Sequence, residues 1–248
     1  MTPLRYPEDM EIAPGIRRVG SGMVNVYLVE EAGEVTIIDA GMPGSWAELP
    51  KELAAMGRTL DDVRCVLLTH GHPDHIGFAE RARTERHLPV WVHEADAALA
   101  RGEVPNPSQG TGPSRPMPML RFLWYGLRRG GLRRPVVREV STYGDGATLD
   151  APGSPRVILT PGHTPGSAVL VSEARDAAFV GDAFCTLAVT TGLRGPRIAP
   201  FTADAAQALD SLSRLDALTT RWALPGHGQP WDGGMEAAVD AVRERARS

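Results

Sequence analysis

The chain has 248 residues, 42% of them hydrophobic and 23% charged, which suffices for a sizeable core and is ordinary globular composition. A formal net charge of −4 argues against a general nucleic-acid binder, which normally carries a basic domain. No run approaches the roughly 18 apolar residues of a membrane span. Met1 to Pro14, with Glu8, Asp9 and Glu11, holds no apolar stretch of signal-peptide length, so the expectation is a cytoplasmic protein with Cys65 and Cys185 as free thiols.

Short apolar and β-branched runs mark strands at Ile16 to Val19, Met23 to Glu30, Val35 to Asp39, Val63 to Leu68 and Pro89 to Val92. A second set follows at Val157 to Thr160, Ala168 to Ser172, Ala177 to Val180 and Trp222 to Leu224. Helices fit between them. Ser45 to Met56 opens on a serine cap and places Trp46, Leu49, Leu53 and Met56 at helical spacing. His75 to Arg86 leaves from the loop after the fourth strand. Thr202 to Leu218 begins at a capping threonine and aligns Ala206, Leu209, Leu212 and Leu215, and Gly234 to Arg247 is the last helix.

The ends of these strands carry the chemistry. Thr69-His70-Gly71-His72-Pro73-Asp74-His75 puts three imidazoles and a carboxylate directly behind Val63 to Leu68. In extended chain His70 and His72 point the same way, because the side-chain period is two, while Asp74 and His75 follow on the turn and can aim at a second ion. A cluster of surface histidines is the alternative, but crowded imidazoles repel one another when protonated. Further apolar runs end in glycine and one ligand-type side chain: His163 in Thr160 to Gly166, Asp182 after Val180-Gly181, and His227 in Leu224 to Gly228. Upstream, Ile37-Ile38-Asp39-Ala40-Gly41 has the same form. His93 between a strand and a helix reads as a cap or packing residue, and His87 as a helix-end residue suited to the dipole.

This ordered set, from about Gly15 to Gly228, resembles the metallo-β-lactamase superfamily. The resemblance implies an α/β fold, an αββα sandwich of two mixed sheets flanked by helices, with two metals at one edge. By position, His70, His72 and His163 would hold the first metal and Asp74, His75 and His227 the second. Asp182 would bridge them together with a hydroxide, and Asp39 would support an imidazole from behind. Two Zn2+ ions per chain are expected, with iron or manganese also suited to the donors. Hydrolysis is the implied reaction, with Asp74 both a ligand and an acceptor for the leaving-group proton.

Comparison within the superfamily narrows the bond. True β-lactamases there usually have cysteine or serine where Asp182 stands. Glyoxalase II enzymes add a C-terminal helical domain, and acyl-homoserine lactonases have a tyrosine shortly after the bridging aspartate, where this chain has Cys185. The expectation is a hydrolase of a thioester, lactone or related acyl ester, with a small-molecule acyl substrate as partner and no nucleic acid. A mononuclear-iron persulfide dioxygenase is the alternative enzyme; a non-catalytic binding module is disfavoured because all seven ligand positions are filled.

One domain over residues 1–248 is expected, with an insertion at about 104–138. That segment opens with the Pro/Gly/Ser-rich Pro105 to Pro118 and holds seven arginines and no acidic residue. Insertions between the halves of this superfamily overhang the metals, so a lid is expected in which Trp124 and Tyr125 bind an apolar body and Arg121 an anionic end. A packed helix with solvated arginines, or a contact in a homodimer, is the competing reading.

Overall fold

The structure is a computed structural model and describes residues 10–108, 110 and 112–247. Glu8 and Asp9, and with them most of the N-terminal stretch read above, lie outside the described residues. The first sheet runs in chain order: β1 (Glu11–Ala13), β2 (Ile16–Val19), β3 (Val26–Glu31), β4 (Glu34–Ile38), β5 (Val63–Leu67), β6 (Val90–His93) and β7 (Ser141–Tyr143). β1 to β4 are an antiparallel meander; β4 to β7 are parallel. Parallel neighbours need crossovers, here α1 (Leu49–Ala55), α2 (Ala79–Arg86), and the pair α3 (Ala97–Ala100) and α4 (Pro116–Arg128).

The second sheet begins with β8 (Arg156–Leu159), β9 (Ala168–Ser172) and β10 (Ala177–Gly181), all antiparallel neighbours. A separate ladder of β11 (Cys185–Leu187) and β12 (Arg194–Arg197) follows, then α5 (Ala205–Ser211). β13 (Trp222–Pro225) returns to pair parallel with β10, and α6 (Met235–Arg247) covers the outer face.

Alternation along the strands builds the layers. On β3, Leu28 faces outward under α1 with Ile37, Leu49 and Leu53, whereas Tyr27 and Val29 face inward. On β10, Phe179 faces inward against Tyr27, with ring centroids 5.5 Å apart, while Ala178 and Val180 face outward under Leu212, Val239 and Val242. Strands buried on both faces read as continuous apolar runs. The result is the expected αββα sandwich.

Three local expectations are corrected. The segment after Met42 starts as a 3-10 turn at Pro43, and Ser45 is buried within it rather than capping it. The helix expected from His75 begins only at Ala79. Residues 75–78 bond instead to the loop after β4: Gly77 N donates to Gly41 O at 2.8 Å, and a Cβ at Gly77 would come within 2.2 Å of that oxygen. α5 is capped by Asp204, whose carboxylate accepts from Gln207 N; Thr202 serves His163. The ladder β11–β12 and the short β1 and β7 were absent from the expected strand set.

Candidate metal centre

The ligand-type side chains all sit just beyond the C-terminal ends of β4, β5, β8, β10 and β13, so the sheets converge them on one edge. Candidate donor atoms of His70, His72 and His163 lie within 4.8 Å of one another, as do those of Asp74, His75 and His227. Asp182 stands between: its Oδ2 is 3.4 Å from His163 Nε2 and 3.2 Å from His227 Nε2, and its Oδ1 is 3.8 Å from His75 Nε2. Only glycine is accommodated at Gly226, where a Cβ would meet His75 Cε1 at 2.4 Å and Asp182 Oδ1 at 2.5 Å.

Each imidazole is held from behind. Asp39, in a left-handed conformation with φ 60°, lies 2.9 Å from His75 Nδ1 and accepts Thr69 N at 2.7 Å. Thr69 Oγ1 lies 3.0 Å from His70 Nδ1, Thr202 Oγ1 3.0 Å from His163 Nδ1, and Met23 O 2.5 Å from His227 Nδ1. His72 differs, its Nε2 lying 3.0 Å from Asn106 Oδ1. Such partners set the tautomer and ring orientation. What remains is unpaired: His70 Nε2, His75 Nε2, His163 Nε2 and Asp182 Oδ1 are buried without a hydrogen bond. Buried polar atoms are seldom orphaned, so converging lone pairs of this kind fit a cation.

Electrostatics separate the two clusters. Burial, followed by the neighbouring His75 and His163, pushes His70 well below the usual imidazole range, and burial lowers His72 and His163 as well. Burial opposes charge on His75 too, yet Asp39, Asp182 and Asp74 outweigh it and raise its pKa to about 10. His227 is raised against burial by Asp182 and Asp74. Burial likewise opposes ionisation of Asp182, but His227 and His75 hold it below the ordinary carboxylate range.

A cavity of about 730 Å3 opens over the centre, with His72, Asp74, His163, Asp182 and His227 on one side. Phe122, Leu123 and Leu127 of α4 form much of the other. Side chains of the insertion thus line the same cavity as the candidate ligands. Arg121, Trp124 and Tyr125 do not line this cavity; they border a separate one of about 390 Å3 with Ser21, Met23 and Arg128. Tyr143 does not line this cavity; it is buried, its hydroxyl donating to Leu68 O within the core. Cys185 is fully buried and faces Ile198, and Cys65 is buried as well; both are free thiols. His93 caps Ala95 N, as its position suggested, and His87 ends α2 in a left-handed conformation.

Sequence reasoning missed the clamp behind both ligand loops. Asp96 is fully buried and accepts Gly71 N at 2.8 Å, Gly166 N at 2.7 Å and Thr164 Oγ1 at 2.7 Å. It thus ties the loop of His70 and His72 to that of His163. An acidic residue just after the strand ending in His93 was the available signal.

Comparison with known proteins agrees with this geometry. The model of the metallo-beta-lactamase superfamily matches residues 19–227, and the chain belongs to that superfamily of metallo-hydrolases. Among its relatives, the probable metallo-hydrolase YflN of Bacillus subtilis is 28% identical over 94% of this chain and 91% of its own length. The uncharacterized protein YobT of the same organism is 34% identical over 65% of this chain, a match spanning 62% of YobT. The metallo-beta-lactamase family protein TTHA1429 from Thermus thermophilus superposes with a TM-score of 0.69 at 24% identity, covering 96% of this chain and 81% of that one. At that identity it speaks to the fold alone. No helix among the described residues is long and apolar enough to cross a membrane.

Proposed function

We propose that the protein is a dinuclear metal-dependent hydrolase of a thioester, lactone or related acyl ester. The observation that carries this reading is the pair of three-ligand clusters with Asp182 between them and four buried donor atoms left without a partner. His70, His72 and His163 would hold one ion, Asp74, His75 and His227 the other, and Asp182 both. The imidazole-rich set favours zinc, with iron or manganese as substitutes. Ions so held acidify water and polarise a carbonyl oxygen.

The remaining work falls to the chain. Asp39 holds the His75 ring through Nδ1, and Thr69 and Thr202 do the same for His70 and His163. Asp74, one-fifth exposed and facing the cavity, has Oδ2 at 3.4 Å from His227 Nε2 and is the carboxylate placed to take up and return a proton during acyl transfer. Phe122, Leu123 and Leu127 exclude water and receive an apolar acyl body, while Arg133 and Arg134 on the same cavity suit an anionic end. One catalytic unit over 1–248, with 104–138 as its lid and a cytoplasmic setting, completes the reading.

Elemental analysis of untagged protein, with a panel of thioesters, lactones and phosphodiesters, tests it. Two metal equivalents and hydrolysis of an acyl compound are expected. One tightly bound iron with persulfide oxidation and no hydrolysis would replace it with the dioxygenase reading.

A further inference from the structure

Helix α4 borders the cavity over the centre and carries a run of exposed apolar side chains, some of which also line that cavity. Met117, Leu120, Leu123, Trp124 and Leu127 are 67%, 61%, 59%, 53% and 45% exposed, and Leu132 just beyond the helix is 81% exposed. At about 100° per residue the five helical positions occupy one arc of roughly 120°. Gly126 lies outside this arc and is buried against Met42, and the packing of the helix on that side leaves the arc toward solvent. Isolated exposed leucines need no explanation, but a contiguous apolar stripe of this kind marks an interaction surface.

The charges around the stripe identify its occupant. Arg121 and Arg128 border it, and Arg128 lies over the Trp124 ring at 4.7 Å. Between residues 104 and 138 there are seven arginines and no acidic residue, in a chain whose formal net charge is −4. Among the described residues, Arg115, Arg121, Arg128, Arg133 and Arg134 make no ion pair with a carboxylate, whereas Arg129 is paired with Glu48. A two-fold dimer through this face would set each copy's unpaired arginines against the same patch of the other, with no carboxylate from the segment to neutralise them. An anionic bilayer surface complements both features, taking the apolar side chains into its acyl boundary and the guanidinium groups at its headgroups.

We propose that α4 docks the protein on anionic lipid membranes, lying in the plane of the surface. Leu123, Leu127 and Leu132 are both exposed and part of the lining of the 730 Å3 cavity, so the docked face and the cavity over the centre share apolar side chains. That shared lining would let an acyl chain pass from the bilayer to the centre, a consequence that rests on the hydrolase reading; the docking itself does not.

The test is cosedimentation of the full chain with vesicles of phosphatidylcholine containing about one-third phosphatidylglycerol, against pure phosphatidylcholine vesicles. Binding to the anionic vesicles alone, weakening with salt, is expected. Leu120→Ser combined with Trp124→Ser should lower partitioning roughly tenfold or more, and Arg121→Gln combined with Arg128→Gln should weaken it and flatten its salt dependence. Circular dichroism checks that the variants, all at exposed positions, remain folded. Equal binding by folded variants, or no binding by the natural chain, overturns the proposal. A salt-resistant dimer that Trp124→Ser dissociates would also overturn it and assign the face to a second copy. The assay needs neither metal nor substrate, so its outcome is distinct from that of the hydrolase test.

Discussion

Replacing Asp96 with alanine asks whether one buried carboxylate sets the spacing of two ligand loops. Its three hydrogen bonds end on Gly71 N, between His70 and His72, and on Gly166 N and Thr164 Oγ1 in the loop of His163. In the variant the Thr164 hydroxyl keeps Ser167 Oγ as a partner at 2.9 Å, but the two amides lose theirs. A stranded buried N–H costs about 1–3 kcal/mol, so the metal-free protein should lose about 2–6 kcal/mol of stability. Asp96→Asn retains one acceptor oxygen and turns an NH2 group toward the other donors, and should fall between the two. Loss of an orienting partner also lowers metal affinity about 10–100-fold. Urea unfolding of the metal-free chain measures the first effect, and competition with a chromophoric chelator the second. An unchanged urea midpoint would refute the energetic argument. A destabilised protein with unchanged metal affinity would refute the positioning role and leave Asp96 as a fold determinant alone.

Further outcomes follow from other residues. Asp74→Ala should lower kcat on the best substrate by about 10²–10⁴ with the fold intact, whereas His70→Ala should lose metal as well; near-normal kcat in Asp74→Ala would remove it from the chemistry. Phe122→Ala with Leu123→Ala should reduce kcat/KM about tenfold more for a long acyl substrate than for a small activated ester, at unchanged metal content; equal losses would place the helix outside substrate selection. Burial raises the Cys65 thiol from 9.0 to about 11, so above about pH 9 the unfolded chain has released a proton that the folded chain retains. Stability therefore falls as pH rises through that window, by about 2–3 kcal/mol from this group. Urea melts of the natural chain and Cys65→Ala between pH 8 and 11 should converge by that amount, and parallel curves would contradict it.

The clustering of the candidate ligands was legible because each stands at the end of an apolar strand, and an extended strand leaves its terminal loop at the sheet edge whatever the details of packing. His70, His72, Asp74 and His75 are also local to one loop, so their proximity needs no tertiary information. Asp96, Asn106 and Thr202 were not legible for the opposite reason. Asp96 is 25 residues from Gly71 and 70 from Gly166, and nothing near any of the three predicts that they share hydrogen bonds. Thr202 looked like a helix cap, and that pattern is equally satisfied by Asp204, which takes the role and frees the threonine hydroxyl for His163.

The orientation of α4 shows where periodicity fails. Met117, Met119, Leu120, Phe122, Leu123, Trp124, Tyr125 and Leu127 leave few positions of the helix polar, so apolar spacing alone fits several rotations about its axis. Size decides instead. Gly126 lies on the side that approaches Met42, where an added Cβ would come within 2.9 Å of Met42 Cε, and its neighbours on that side face inward. A glycine inside a helix costs about 1 kcal/mol relative to alanine and signals a close approach. Taken as the marker of the packed face, it turns Phe122 toward the cavity and Leu120 and Trp124 toward solvent, with Leu123 at the edge between them. A glycine between aromatic and aliphatic neighbours thus carried more information about which residues line the cavity over the candidate centre than the aromatic residues themselves.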